Sequence, residues 1–255
     1  MNFFFGINAH KFNSIIKVPT FQNSGKYKKN YNLYFLNITD NEWKIELYSS
    51  KHYNEFFIVK EDFSNNENIF FLASEEEVKK FKNNNLNLID EFNNFTNTKP
   101  AFRSNLEVYM KDGGFSSYQS EYPLNMVKKN GSIISSLNIL SNKHADNNYL
   151  IFKNIYYKPY QNNFDGYFIN FDKKKIVKKF NLKTNFTNLI EINKEYLNED
   201  HYFFTVGYIG IPIYLSIKNN HLSLEHTHPP HEYILSNNKV KKISELKKEF
   251  NEIIT

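Results

Sequence analysis

The chain has 255 residues, is 40% hydrophobic and 17% aromatic, carries a formal charge of +5 and contains no cysteine. That composition excludes a disordered protein, disulfides, thiolate metal sites and a cysteine nucleophile. No run approaches the roughly 18 consecutive apolar residues of a membrane span. Met1-Asn2-Phe3-Phe4-Phe5-Gly6 lacks the charged start and cleavage site of a signal peptide, so a cytoplasmic location is expected.

Short aromatic and β-branched runs bounded by Asn, Asp, Gly and Ser predict strands over Phe3–Ile7, Ile15–Val18, Tyr31–Ile38, Glu42–Tyr48, Glu55–Val59 and Ile69–Leu72. In the fourth of these, Trp43, Ile45 and Leu47 alternate with Lys44, Glu46 and Tyr48, the period of a half-buried strand, which marks Trp43 as core. Ser74 and Glu77 form a capping box that opens a helix, with Lys79, Lys80 and Lys82 at its far end. The Asn-rich stretch 83–100 is a candidate boundary, holding only a short amphipathic piece, Leu86–Phe92.

Beyond it the pattern stays β. Leu106–Met110 and Phe115–Tyr118 flank the turn Lys111-Asp112-Gly113-Gly114. Tyr149–Tyr157 is an apolar strand, and Gly166–Phe171 pairs with Ile176–Leu182 across Asp172-Lys173-Lys174. Phe203–Tyr208, Ile211–Ile217 and His221–His226 follow as successive strands, the last two joined at Lys218-Asn219-Asn220. Ile243, Leu246, Phe250 and Ile253 recur at helical spacing in Lys239–Ile254.

These elements, without a repeat or strand–helix alternation, predict a mainly β or α+β chain. The expected form is an antiparallel β-sandwich or barrel-like roll with peripheral helices, including the C-terminal amphipathic one. The expectation is a single globular unit over 1–255, divisible near 83–100 into an N-terminal α+β part and a C-terminal β-rich part. No nucleotide-binding or nucleophile-elbow motif is present.

The bias toward Asn, Lys, Ile, Phe and Tyr makes departures from it informative. The positive charge is nearly all Lys spread along the chain, which disfavours nucleic-acid binding, where Arg makes the commonest base contact. Arg103 is the one arginine. A surface cation could as well be lysine, so Arg103 reads either as an anchor for a ligand oxyanion or as the buried partner of Glu107 or Glu121. The run Ser116 to Glu121 is dense in hydroxyl, amide and carboxylate groups and has no Lys or Asn, so Ser117, Gln119 and Glu121 are candidates for a polar pocket.

The other departure is Glu225-His226-Thr227-His228-Pro229-Pro230-His231-Glu232. On an extended strand Leu222, Leu224, His226 and His228 share a face. His226 and His228, with His231 or Glu232 returned by the prolines, would offer neutral donors to one divalent transition metal, Zn²⁺, Fe²⁺ or Mn²⁺. The spacing His226-x-His228-x-x-x-Glu232 resembles the core of the first cupin motif. The motif's flanking glycines are missing and only 23 residues follow Glu232, so membership is not assigned. The same residues also read as a metal-free polar site, or as ordinary polar residues around a proline turn. His10, His52, His144 and His201 stand alone and read as structural.

The leading expectation is therefore a ligand-binding β protein, in its sharpest form a metal-dependent enzyme, acting on a small polar or anionic molecule such as a sugar derivative or organic acid. Its site would combine Arg103, Ser117 and Gln119 with the histidines, and Glu121 and Glu232 would serve as catalytic carboxylates. The alternative is a non-catalytic structural or interaction protein of a viral or cell-surface assembly.

Overall fold

Strand β2 (Phe12–Pro19) shows how the chain folds: Phe12, Ser14, Ile16 and Val18 are buried while Asn13, Ile15 and Lys17 are half-exposed. That period of two is a sheet with one covered face. A computed structural model describes residues 2–9, 11–20, 31–82, 104–119, 121–127, 130–226, 232 and 234–255. Among them no helix is long and apolar enough to cross a membrane.

The chain forms two compact units, Met1–Lys128 with Ile155–Tyr160 and Asn185–Thr187, and Lys129–Asn154 with Gln161–Thr184 and Asn188–Thr255. The first holds β1 (Asn2–Phe5), β2, β3 (Asn32–Thr39), β4 (Glu42–Ser49), β5 (Phe56–Val59), β6 (Ile69–Ala73), β7 (Asn105–Met110), β8 (Phe115–Tyr118) and β9 (Glu121–Pro123). Its helices are α1 (Glu75–Lys82) and the single turn α2 (Leu124–Val127). The second has β10 (Ile134–Ser136), β11 (Asn147–Lys153), β12 (Asn163–Asn170), β13 (Lys175–Lys183), β14 (Thr187–Ile192), β15 (His201–Thr205), β16 (Ile211–Lys218) and β17 (His221–His226). The short α3 (Leu137–Leu140) and the C-terminal α4 (Lys239–Ile254) complete it.

The strands sort into four sheets, with antiparallel pairing in each. The first unit has the orders β4-β3-β6-β1-β9 and β5-β2-β7-β8; the second has β13-β12-β15-β10 and β14-β11-β16-β17. Adding nine to each strand number of the first unit reproduces the second, β9 alone excepted. One eight-stranded connectivity is thus laid down twice, although the sequence shows no repeat. A mainly β architecture with a C-terminal helix is what the sequence predicts; one sandwich or roll is not what forms, since the strands close into four separate sheets. The stretch 83–100 lies outside the described residues, and the first passage of the chain from one unit to the other falls between 128 and 129.

In the second unit Leu150, Phe152, Phe164, Phe168, Ile190, Ile192, Phe203 and Tyr214 are buried together between its two sheets. The adjacent positions Tyr167, Ile169 and Phe204 turn to the opposite side and are covered by Ile243, Leu246 and Phe250 of α4. In the first unit the capping box forms as its sequence implies: the Ser74 amide donates to Glu77 Oε2 at 2.7 Å and the Glu77 amide to Ser74 Oγ at 3.3 Å. Asn185, at φ 53°, ties a returning loop into this unit. Its Oδ1 accepts from the Tyr156 amide at 2.7 Å, and its Nδ2 donates to the carbonyls of Lys158 and Tyr160 at 2.8 and 2.9 Å.

The Phe250 ring lies 5.3 Å from Phe204, 5.8 Å from Tyr202 and 5.9 Å from Phe171. Phe250→Ala is expected to lower unfolding stability by about 3–5 kcal/mol in a denaturant titration, because the cavity cannot collapse beneath a helix seated on a sheet. A loss below about 1 kcal/mol would show that α4 is not held by this ring.

Candidate functional site

The sheet β5-β2-β7-β8 turns one face inward, through Phe57, Val59, Ile16, Val18, Leu106, Val108 and Tyr118, all buried. Alternation then forces the intervening side chains onto the other face, which is open to solvent. Registry arranges them in rows across the strands. Asn13, Tyr109 and Phe115 lie side by side, as do Ile15, Glu107 and Ser117, and next to them Ile58, Lys17 and Asn105. Phe115 is 70% exposed and Ile58 38%.

Polar groups on this face are held rather than loose. Lys17 Nζ lies 2.5 Å from Glu107 Oε1, a pair neutralised within the sheet. Glu61, just beyond β5, accepts from the Asn13 amide at 3.1 Å and from the Tyr109 hydroxyl. Burial first, then the hydrogen bond and charge of Glu61 and the charge of Asp62, push the Tyr109 phenol up to about 12. Rings, an amide, a hydroxyl and carboxylates therefore share one flat, preorganised surface.

The corresponding face in the second unit differs. There Tyr149, Ile151, Ile213 and Leu215 occupy the outward positions of β11 and β16, and all are buried. The same connectivity uses this face for packing in one unit and leaves it amphipathic and open in the other.

The structure places the sequence candidates as follows. Ser117 sits on the open face, exposed, opposite Glu107. Gln119 follows the end of β8, and its Nε2 donates to Glu121 Oε2 at 3.5 Å. Glu121 pairs with Phe4 at the edge of β1, and its Oε1 accepts from the Ser104 amide at 3.1 Å. Its charge and, above all, burial raise the Tyr118 phenol. Arg103 lies outside the described residues, and Glu107, offered as its partner, pairs with Lys17.

His226 ends β17 half-buried, on the side that carries Leu222 and Leu224, as alternation requires. His228 and His231 lie outside the described residues, and among those described no three His, Cys, Asp or Glu side chains gather as a metal group. Glu232 is buried in the second unit. Its Oε1 accepts from the Ile134 amide of β10 at 3.2 Å and lies 2.5 Å from Lys247 Nζ of α4. Lys247 also donates to the Ser132 carbonyl at 2.7 Å. Glu232 thus fastens α4 to the edge strand.

Glu121 and Glu232 hold equivalent stations. Each follows the last hairpin of its unit and meets the edge of that unit's first strand, β1 or β10. Glu121 and Glu232 belong to different units.

Sequence reasoning passed over Asn13, Lys17, Glu61 and Tyr109, which build the open face. Asn and Lys are the commonest residue types in the chain, and only the alternation of β2 points to Asn13 and Lys17. It also passed over a polar network in the second unit, in which Asn170 and His201 are buried and Lys173 and Glu199 are exposed. Asn170 Nδ2 donates to Glu199 Oε2 at 2.5 Å and meets His201 Nε2 at 3.3 Å, while Lys173 Nζ donates to Glu199 Oε1 at 2.7 Å. The bond to Lys173 holds the Glu199 carboxyl below its ordinary range. Trp43, expected in the core, is half-buried and donates from Nε1 to the Tyr157 carbonyl at 3.1 Å.

Comparison with family models, with curated proteins and with solved structures finds no significant match to this chain.

The phenol of Tyr109 should ionise near pH 12, read as the phenolate absorbance lost in Tyr109→Phe. A raised value contributes stability that is complete below the ordinary pH of about 10 and disappears as pH rises through the folded value. Glu61→Gln should lower the midpoint only part of the way, since burial is the larger cause. A midpoint near 10 in the wild type would mean that neither the burial of the phenol nor the Glu61 bond holds in solution.

Proposed function

We propose that the protein binds a neutral oligosaccharide across the open face of the sheet β5-β2-β7-β8. The observation that carries this reading is the cross-strand pair Tyr109–Phe115, set flush on an exposed sheet beside Asn13, Glu61, Glu107 and Ser117. A sugar ring has an apolar C–H face and a hydroxyl rim. The first suits an aromatic surface, and the second suits carboxylates and amides that already hold fixed positions.

Charge selects for a neutral ligand. Lys17 is taken up by Glu107, and Glu61 adds a further carboxylate, so an organic anion would meet repulsion here. Ser117 keeps the ligand-contact role expected of it. Gln119 follows the end of β8 and donates to Glu121, which in turn holds the Ser104 amide just before β7.

Neutral oligosaccharides of the gluco-, xylo-, manno- and chito- series, screened on an array and titrated by calorimetry, test the reading. At least one series is expected to bind. Phe115→Ala should weaken it by about tenfold, the worth of one ring contact, and Asn13→Ala by a similar factor through the lost hydrogen bond. Absence of binding to every series, or binding that Phe115→Ala and Asn13→Ala leave unchanged, would overturn the proposal.

A further inference from the structure

Strand β4 ends its sheet, and its free edge is built to meet a copy of itself. Asp40 and Asn41, at φ 53° and 60°, make the two-residue hairpin turn that joins β3 to β4. In such a hairpin the closing pair, Thr39 with Glu42, exchanges hydrogen bonds, and so do the alternate pairs Asn37 with Lys44 and Phe35 with Glu46. The amides and carbonyls of Trp43, Ile45 and Leu47 must then point outward. Among the described residues no backbone group meets them. Leu47 is 52% exposed, Trp43 and Ile45 are half-buried, and Lys44 and Glu46 are exposed.

We infer that two copies of this chain associate by antiparallel pairing of β4 with β4 about a two-fold axis at Ile45. With the axis there, the outward backbone groups of Trp43, Ile45 and Leu47 face those of the partner's Leu47, the partner's Ile45 and the partner's Trp43. On one face of the joint sheet Trp43 lies against the partner's Leu47, an aromatic–aliphatic pair. On the other, Lys44 lies against the partner's Glu46, and the symmetry makes that charge pair twice.

No neighbouring register does this. Moving the axis to Lys44 sets lysine against lysine and Glu42 against the partner's Glu46. Moving it to Glu46 sets glutamate against glutamate. The equivalent edge of the second unit, β13, carries Lys175, Lys178, Lys179 and Lys183, the charge by which exposed edges resist pairing. Of two edges made by the same connectivity, one is guarded by like charge and the other is self-complementary. This inference is independent of the oligosaccharide reading, since it uses another sheet and other residues.

Light scattering coupled to size exclusion, on the full chain from about 1 to about 100 μM, covers the affinities such a contact would reach. The wild type is expected to reach the dimer mass within that range. Lys44→Glu should weaken dimerisation by about tenfold or more, because two favourable charge pairs become repulsive. Lys44→Glu combined with Glu46→Lys should restore it. Ile45→Pro removes only an outward amide and should give a folded monomer. Should it fail to fold, the charge swap still decides. A wild type that stays monomeric throughout, or a dimer that survives both Lys44→Glu and Ile45→Pro, would refute the inference.

Discussion

Side chains of a paired strand alternate between faces, so the register of β2 against β7 decides what the first unit can show to solvent. With Ile16 opposite Leu106 and Ser14 opposite Val108, the apolar set is buried, and Asn13, Ile15 and Lys17 emerge beside Tyr109, Glu107 and Asn105. A slip of one residue would bury the Lys17–Glu107 pair and expose the core. Large apolar residues on the inner face make that slip costly, at roughly 1.5–3 kcal/mol for each side chain moved into water. The ion pair, the Glu61 bonds and the aromatic row are consequences of this single choice. At β4 the same logic applies through the Asp40-Asn41 turn, which fixes which backbone groups face outward.

The repeated connectivity shows how one framework can carry different surfaces. Each unit places two sheets and then a segment that returns to the edge of its first strand, Glu121 by strand pairing with Phe4 and Glu232 by accepting from the Ile134 amide. In the second unit the outward positions of β11 and β16 are apolar and buried, and those of β12 and β15 are covered by α4. In the first, the sheet β5-β2-β7-β8 keeps mixed chemistry outside. The two kinds of face differ in tolerance: substitutions on the open face leave the inner packing intact, whereas the face under α4 tolerates little.

Local chemistry was readable along the chain. The capping box at Ser74 and Glu77, the amphipathic helix of Ile243, Leu246 and Phe250, and the hairpins around Asp172 and Asn219 rest on short-range rules that need no tertiary information. The doubling was not readable, because strand order depends on which runs pair across many tens of residues, as β2 does with β7 and β11 with β16, and the halves share no motif. Part of the open face was visible: Ser117 stood out for its neighbours' composition, whereas Asn13 and Lys17 are the residue types this chain uses everywhere. Glu232 stood out as a ligand-set member because proximity to histidines in sequence suggested it, yet Lys247, fifteen positions on, is the partner that the packing of α4 brings to it.

Because the chain has no cysteine, a single introduced thiol reports on one position alone. The most direct test of the proposed face is the rate of thiol alkylation for single cysteines at Asn13, Ser14, Ile15, Ile16, Glu107, Val108 and Ser117, with and without bound oligosaccharide. The account predicts fast labelling at Asn13, Ile15, Glu107 and Ser117, slow labelling at Ser14, Ile16 and Val108, and protection by ligand confined to the fast set. Labelling that fails to alternate, or ligand protection that spares the fast set, would contradict it.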